Sequence, residues 1–183
     1  MDKKHNLVWI DLEMTGLNPA SDCILEASVM ITDGDLNLLH EGLSFVIHQS
    51  DDVLDTMIPW CKEHHGKSGL TPAVRDSSTT VEMAQEQILG LIKQFCEPQK
   101  GVLAGNSVWQ DRLFLERYMP DVVGYLHYRL LDVSSLKEII VRWYPHDPNA
   151  RFKKSDTHRA LADIRESIAE LAHYRKYFFK TLA

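Results

Sequence analysis

Cysteine is scarce in this chain. Cys23, Cys61 and Cys96 are scattered through 183 residues. No two of them form a CxxC pair, and their number is odd. That excludes a disulfide framework and a zinc ribbon, and reduced, buried thiols are expected. Long apolar runs are also missing. The longest near the start, Leu7-Val8-Trp9-Ile10, is too short for a signal-peptide core or a membrane span. The expected location is therefore cytoplasmic, with no membrane partner. An excess of positive charge is lacking as well. Lys and Arg number 20 against 26 Asp and Glu, giving a net charge of −6. A protein that wraps long nucleic acid through many phosphate contacts needs the opposite balance, so no long duplex partner is expected. Carboxylates that hold divalent metals would add negative charge and have it offset locally. A short substrate would need few basic contacts. Repeats, low-complexity tracts and linkers are not seen.

What is present suits one domain spanning residues 1–183. The hydrophobic fraction of 44% and the charged fraction of 25% are those of an ordinary globular protein with a core that needs no staples.

Apolar patterning predicts a strand over 6–12 and two more over 24–32 and 36–47. Asp33-Gly34-Asp35 between the latter two is a hairpin signal. Residues 51–75 read as less regular, being broken by Pro59, Gly66, Gly69 and Pro72. Helical spacing of Val81, Ala84, Ile88, Leu91, Ile92 and Phe95 predicts a helix over 79–96. A short strand at 102–104 precedes a helix over 109–118 that Pro120 ends. A strand near 129–131 leads into a helix over 133–143. A loop over 145–154 follows, and a last helix covers 157–177. Three strands followed by alternating helices and strands imply an α/β fold, a mixed sheet flanked by helices.

Chemistry gathers in three places. Asp11 and Glu13 are two apart near the end of a strand, so they share a face while Leu12 takes the other. Carboxylates so placed repel unless a cation lies between them, and oxygen ligands suit Mg²⁺ or Mn²⁺. Solvated acids beyond the strand end are the alternative. Asp111 sits in the first turn of a helix after a short strand, where the helix dipole alone would favour an acid. His158 and Asp163 are five residues apart, a turn of about 500° on a helix, and so do not share a helical face. The spacing fits His158 on the preceding loop or first turn, with Ser155, Asp156 and Thr157 as possible caps.

In their order, Asp11-x-Glu13, Asn106-x₄-Asp111 and His158-x₄-Asp163 resemble the motifs of the DEDD exonucleases, in the histidine-bearing DEDDh branch. Longer strings narrow the resemblance to the oligoribonuclease family. They include Trp9-Ile10-Asp11-Leu12-Glu13-Met14-Thr15-Gly16-Leu17, Gly105-Asn106-Ser107, Gln110-Asp111-Arg112, Tyr118-Met119-Pro120, His127-Tyr128-Arg129, Leu131-Asp132-Val133-Ser134 and Asp163-Ile164-Arg165-Glu166-Ser167. The likeness runs from about residue 6 to residue 178.

The resemblance implies a ribonuclease H-like sheet of about five strands. It implies 3′→5′ hydrolysis of very short oligoribonucleotides, especially dinucleotides, to mononucleotides. The cofactors it implies are two divalent cations, Mg²⁺ or Mn²⁺, held by Asp11, Glu13, Asp111 and Asp163. His158 is implied as the general base. An unperturbed histidine pKa of about 6.5 suits that task, and activity should fall below pH ~6. Leu17 would wedge between the bases and Trp60 would stack on one. Ser107, Arg129 and Ser134 would cap the 5′ phosphate, joined by Tyr128 of the partner subunit in a homodimer. His65 would also contact substrate. Arginine and hydroxyl groups suit phosphate oxygens, and aromatic rings stack on any base. Bland readings stay open: Leu17 and Trp60 as core residues, and Arg129 paired with Glu116 or Asp132. For Tyr174, Tyr177, Phe178 and Phe179, core or dimer contacts are expected.

The sequence departs from the family pattern at Trp109, where glycine is usual, at Leu113, where arginine is usual, and at Ala162, where an acid is usual. Two rival readings remain: another DEDDh exonuclease acting on DNA or tRNA, and a non-catalytic nucleotide-binding module.

Overall fold

Alternation along the first strand sets the architecture. In the computed structural model, which describes residues 3–153 and 159–180, strand β1 runs Leu7–Met14. Val8, Ile10, Leu12 and Met14 enter one hydrophobic cluster, while Leu7 and Trp9 enter another on the opposite face. Asp11 and Glu13 continue the row of Leu7 and Trp9. The strand ends two residues later than predicted, so both acids lie within it and pair with the next strand.

That strand, β2, is Ile24–Thr32 and is buried along its whole length. It joins β3, Leu38–Val46, through a turn over 33–37. The expected hairpin is present, but the turn does not rely on its glycine. The Asp33 carboxylate accepts the backbone N–H groups of Asp35 and Asn37, each at 2.9 Å, and Leu36 takes the positive φ of 70°. With β4, Val102–Gly105, and β5, Leu130–Asp132, the sheet has five strands in the order β3-β2-β1-β4-β5. β1, β2 and β3 pair antiparallel, whereas β4 and β5 run parallel to β1. This is the mixed sheet the sequence implies.

Residues 51–76 are more regular than predicted. They form three short helices: α1 Asp51–Asp55, α2 Pro59–Lys67 and α3 Leu70–Asp76. Pro59 opens α2 at its first helical position, where no N–H is needed, and Gly69, at φ 75°, precedes α3. These residues punctuate short helices and do not prevent them. Leu54, Met57, Cys61, Leu70 and Val74 cover Leu25 of β2.

Helix α4, Val81–Phe95, is capped by Thr80, whose side chain accepts from the Met83 N–H. It shares the Val8 face of the sheet with α5, Val108–Tyr118. Pro120 ends α5 as expected, but it also starts α6, Pro120–Tyr125, which the sequence reading did not foresee. On the other face lie α7, Val133–Trp143, and the long α8, Ala160–Phe178, with a 3₁₀ turn Pro148–Ala150 between them. Tyr174 is fully buried there, while Tyr177 and Phe179 are exposed. None of the described helices is long and apolar enough to cross a membrane.

Candidate active site

Three carboxylates meet where α8 begins over the sheet. β1 presents Asp11 and Glu13, and the first turn of α8 presents Asp163. One oxygen of each lies within 4.8 Å of the others. All three groups are half-buried. Burial pushes the Glu13 carboxyl from its ordinary 4.5 up to about 8, and the charges of Asp163, Glu26 and Asp111 push the same way. Arg159 opposes them. A trio of converging oxygen donors, one of them pushed toward its protonated form mainly by burial, fits a hard divalent cation, which would replace that proton. The pairing of β1 with β2 skips Leu25 just beyond Glu13, a bulge that bends the strand at this point.

Asp111 stands outside that trio. It is buried in the first turn of α5, and its Oδ1 accepts the backbone N–H of Leu12 at 3.0 Å. Burial pushes its carboxyl up to about 7, against the lowering effect of the donors from Leu12 and from its own backbone. An acid that merely answered the helix dipole would not be bonded to a strand 99 residues away. His158 lies outside the described residues.

The residues expected to meet substrate differ in their surroundings. Leu17 is 65% exposed and Trp60 53% exposed, so neither belongs to the core. The Leu17 loop is built on Asp22, which accepts from Thr15 Oγ1 and from the Asn18 N–H. A Cβ on Gly16 would come 2.6 Å from that carboxylate, so a larger residue would have to displace it from the loop. Gln110 Nε2 donates to the Leu17 carbonyl at 2.7 Å, tying the loop to α5. The Trp60 ring is stacked on His64, with centroids 3.9 Å apart. His65, in contrast, is buried behind Glu13. Its Nε2 lies 2.9 Å from the Met14 carbonyl, and its Nδ1 lies 3.8 Å from Glu13 Oε2. Its place is therefore against the acid and not on an open face.

Ser107 and Ser134 come together, with their hydroxyls 3.2 Å apart. Asp132 gathers them by accepting both backbone N–H groups, at 3.0 and 2.8 Å. Ser107 holds a left-handed φ of 50° to do this. Tyr128 and Arg129 precede β5, whereas Ser134 follows it, so the two groups lie at opposite ends of that short strand. Both are exposed, with the Arg129 guanidinium 5.4 Å from the Tyr128 ring centroid. Arg129 is not spent on Glu116, which pairs with Arg112 at 2.8 Å, and Asp132 serves the two serines. Trp109 is exposed and lines an open, mainly apolar cavity of about 870 Å³ with Leu7, Leu36, Leu131, Leu136 and Phe179. The acid trio is not part of that cavity. Leu113 is exposed and Ala162 half-buried.

Three residues beside these groups escaped the sequence reading. Glu26, buried in β2, pairs with Arg159, and buried Glu170 accepts from Asn106 Nδ2 and Tyr174 Oη. The signal for Glu26 was available, because it is the one charged residue in the strand Ile24–Thr32.

A mixed five-stranded sheet with acids converging at β1 and the start of α8 defines an exonuclease of the ribonuclease H-like class. The RNase_T family, described as Exonuclease, matches residues 8–171. That makes the chain a nuclease, and its fold and carboxylate cluster imply divalent metal cofactors. The mitochondrial oligoribonuclease of Homo sapiens is 51% identical over 176 residues, covering 96% of this chain and 74% of the relative. An oligoribonuclease of Pseudomonas paraeruginosa is 51% identical over 180 residues, 98% of this chain and 99% of the relative. The chain belongs to the oligoribonuclease family. Among solved structures, Exonuclease I from Methylocaldum szegediense superposes with a TM-score of 0.73 at 19% identity, over 96% of this chain and 41% of that one. E. coli Exonuclease I with a 5cy-dT13 oligonucleotide gives 0.72 at 19% identity, again over 96% and 41%. At that identity the likeness concerns the fold, and the chain spans well under half the length of those enzymes.

Proposed function

We propose that residues 1–183 act as a single exonuclease domain that hydrolyses very short oligoribonucleotides, above all dinucleotides, from the 3′ end to 5′-mononucleotides. The observation that carries this reading is the meeting of Asp11, Glu13 and Asp163 oxygens within 4.8 Å. The names of the family relatives support short RNA as the substrate.

In this proposal Asp11, Glu13, Asp111 and Asp163 would hold two divalent cations, Mg²⁺ or Mn²⁺. Such a pair supplies an activated water and shields the attacking and leaving oxygens. His158 would serve as the general base that accepts the proton of the attacking water. His65 backs Glu13 from within the protein. Leu17 and Trp60 offer exposed apolar surface against which two bases are held. Ser107, Ser134 and Arg129 donate to the 5′ phosphate and close off longer chains. Tyr128 of the partner subunit completes that cap in a homodimer. Exposed aromatic surface at Trp109, Tyr128 and Trp143 supports the dimer. The proposed compartment is the cytoplasm, and the free state of Cys23, Cys61 and Cys96 suits a reducing setting. Neither a membrane nor a long duplex is a proposed partner.

The reaction is tested by incubating a 5′-phosphorylated diribonucleotide with the protein and Mg²⁺, with EDTA, and with the His158→Ala variant. Mononucleotides should form in the first case alone. Undiminished hydrolysis by His158→Ala would remove the histidine from the mechanism.

A further inference from the structure

Glu26 is the Cα partner of Glu13 across β1 and β2, so the two side chains stand on one face of the sheet. Yet Glu26 is not among the converging acids, because its oxygens are engaged elsewhere. Arg159 donates to both of them, Nε to Oε2 at 3.1 Å and Nη2 to Oε1 at 2.8 Å. Ser44 Oγ donates to Oε1 at 3.0 Å. The backbone N–H of Ala160 lies 3.4 Å from Oε2.

That last contact concerns the start of α8. The residue before the helix is Arg159, whose side chain makes no capping bond. A helix that lacks a local cap leaves its first N–H groups unsatisfied. Here the acceptor comes from β2, 134 residues earlier in the chain. Asp163 lies in the turn that follows, with its N–H donating to the Arg159 carbonyl at 3.1 Å. The carboxylate is 2% exposed and its guanidinium partner 43% exposed, so the pair joins the buried sheet to the rim of the site.

We infer that Glu26 and Arg159 are positioning residues whose ion pair fixes the start of α8 and thereby holds Asp163 against Asp11 and Glu13. The pair also occupies a fourth carboxylate on that face, which would otherwise compete for the cation. This inference rests on the metal-binding part of the proposed function and not on the choice of substrate.

The test is Mn²⁺ binding by calorimetry to the metal-stripped protein, alongside kcat and KM on a 5′-phosphorylated diribonucleotide. In Arg159→Ala, Mn²⁺ affinity should fall by about 10- to 100-fold, as on loss of other outer partners of metal ligands. kcat should fall with it while KM stays within about twofold, because the substrate-facing residues are untouched. Glu26→Gln should shift both quantities in the same direction by less, and Arg159→Lys should recover part of the loss. These two variants carry the test if Arg159→Ala does not fold. A lowered melting temperature with unchanged Mn²⁺ affinity in the folded variants would show a merely structural pair and overturn the inference. The binding comparison decides the matter even if the wild-type protein ignores dinucleotides, which would sink the substrate reading alone.

Discussion

The buried carboxylate of Asp111 accepts the backbone N–H of Leu12, the residue between Asp11 and Glu13, at 3.0 Å. One bond thus locks the first turn of α5 to the strand that carries two of the converging acids. Two variants separate the structural part of Asp111 from its proposed part in metal binding. Asp111→Asn keeps an oxygen for Leu12 but loses the charge. It should unfold in urea much like the parent, with hydrolysis reduced roughly 100-fold or more. Asp111→Ala also strands a buried N–H and should lose about 1–3 kcal/mol of stability. Equal stability of the two variants would contradict the structural part.

Without metal, stability should depend on pH through the two raised acids. Glu13 moves from 4.5 to about 8 and Asp111 from 3.8 to about 7 on folding. Between those limits the folded state keeps protons that the unfolded chain has released. Stability from these groups therefore falls as pH rises from about 4 to 8, the reverse of a salt-bridged acid. The melting temperature of the metal-free parent should drop across this window relative to Glu13→Gln. Added Mg²⁺ or Mn²⁺ should raise it most at the alkaline end, where no proton need be displaced. Parallel curves for parent and variant would show that Glu13 is not strained in this way.

Leu17 and Trp60 offer a cleaner separation of binding from folding. Both side chains are mostly exposed, so truncation should leave the melting temperature nearly unchanged. Base stacking is worth about 1–3 kcal/mol per base, so Trp60→Ala should raise KM for a dinucleotide by roughly 5- to 150-fold. Leu17→Ala should act in the same direction. Steady-state kinetics on the two variants check this, and an unchanged KM in both would remove them from the substrate site.

The sequence made some of this arrangement legible and hid the rest for physical reasons. The period-two alternation of β1 was enough to put Asp11 and Glu13 on one face, because a strand's geometry is local. The same holds for α4, whose apolar spacing and Thr80 cap are written within the sixteen residues from Thr80 to Phe95. Residues 51–76 were opaque because Pro59 and Gly69 both begin and break helices, and only contacts with Leu25 decide between the two. The turn at Leu36 was hidden by a side chain, Asp33, that does the work expected of Gly34. Glu26 and Arg159 were missed because their pairing joins residues 133 apart, a relation that exists only once β2 and α8 have come together. His65 was placed at the substrate, but the fold turns it inward against Met14 and Glu13.

The proposed role of this ribonuclease H-like acid site is the hydrolysis of the shortest RNA chains. It is tested most directly by measuring kcat/KM for 5′-phosphorylated oligoribonucleotides of increasing length from the dinucleotide upward, with single-stranded DNA alongside, in Mg²⁺ and in Mn²⁺. The value should be highest for the diribonucleotide and fall steeply with each added residue, as the proposed cap of Ser107, Arg129 and Ser134 excludes longer chains. Values that rise with length, or that favour DNA, would contradict it.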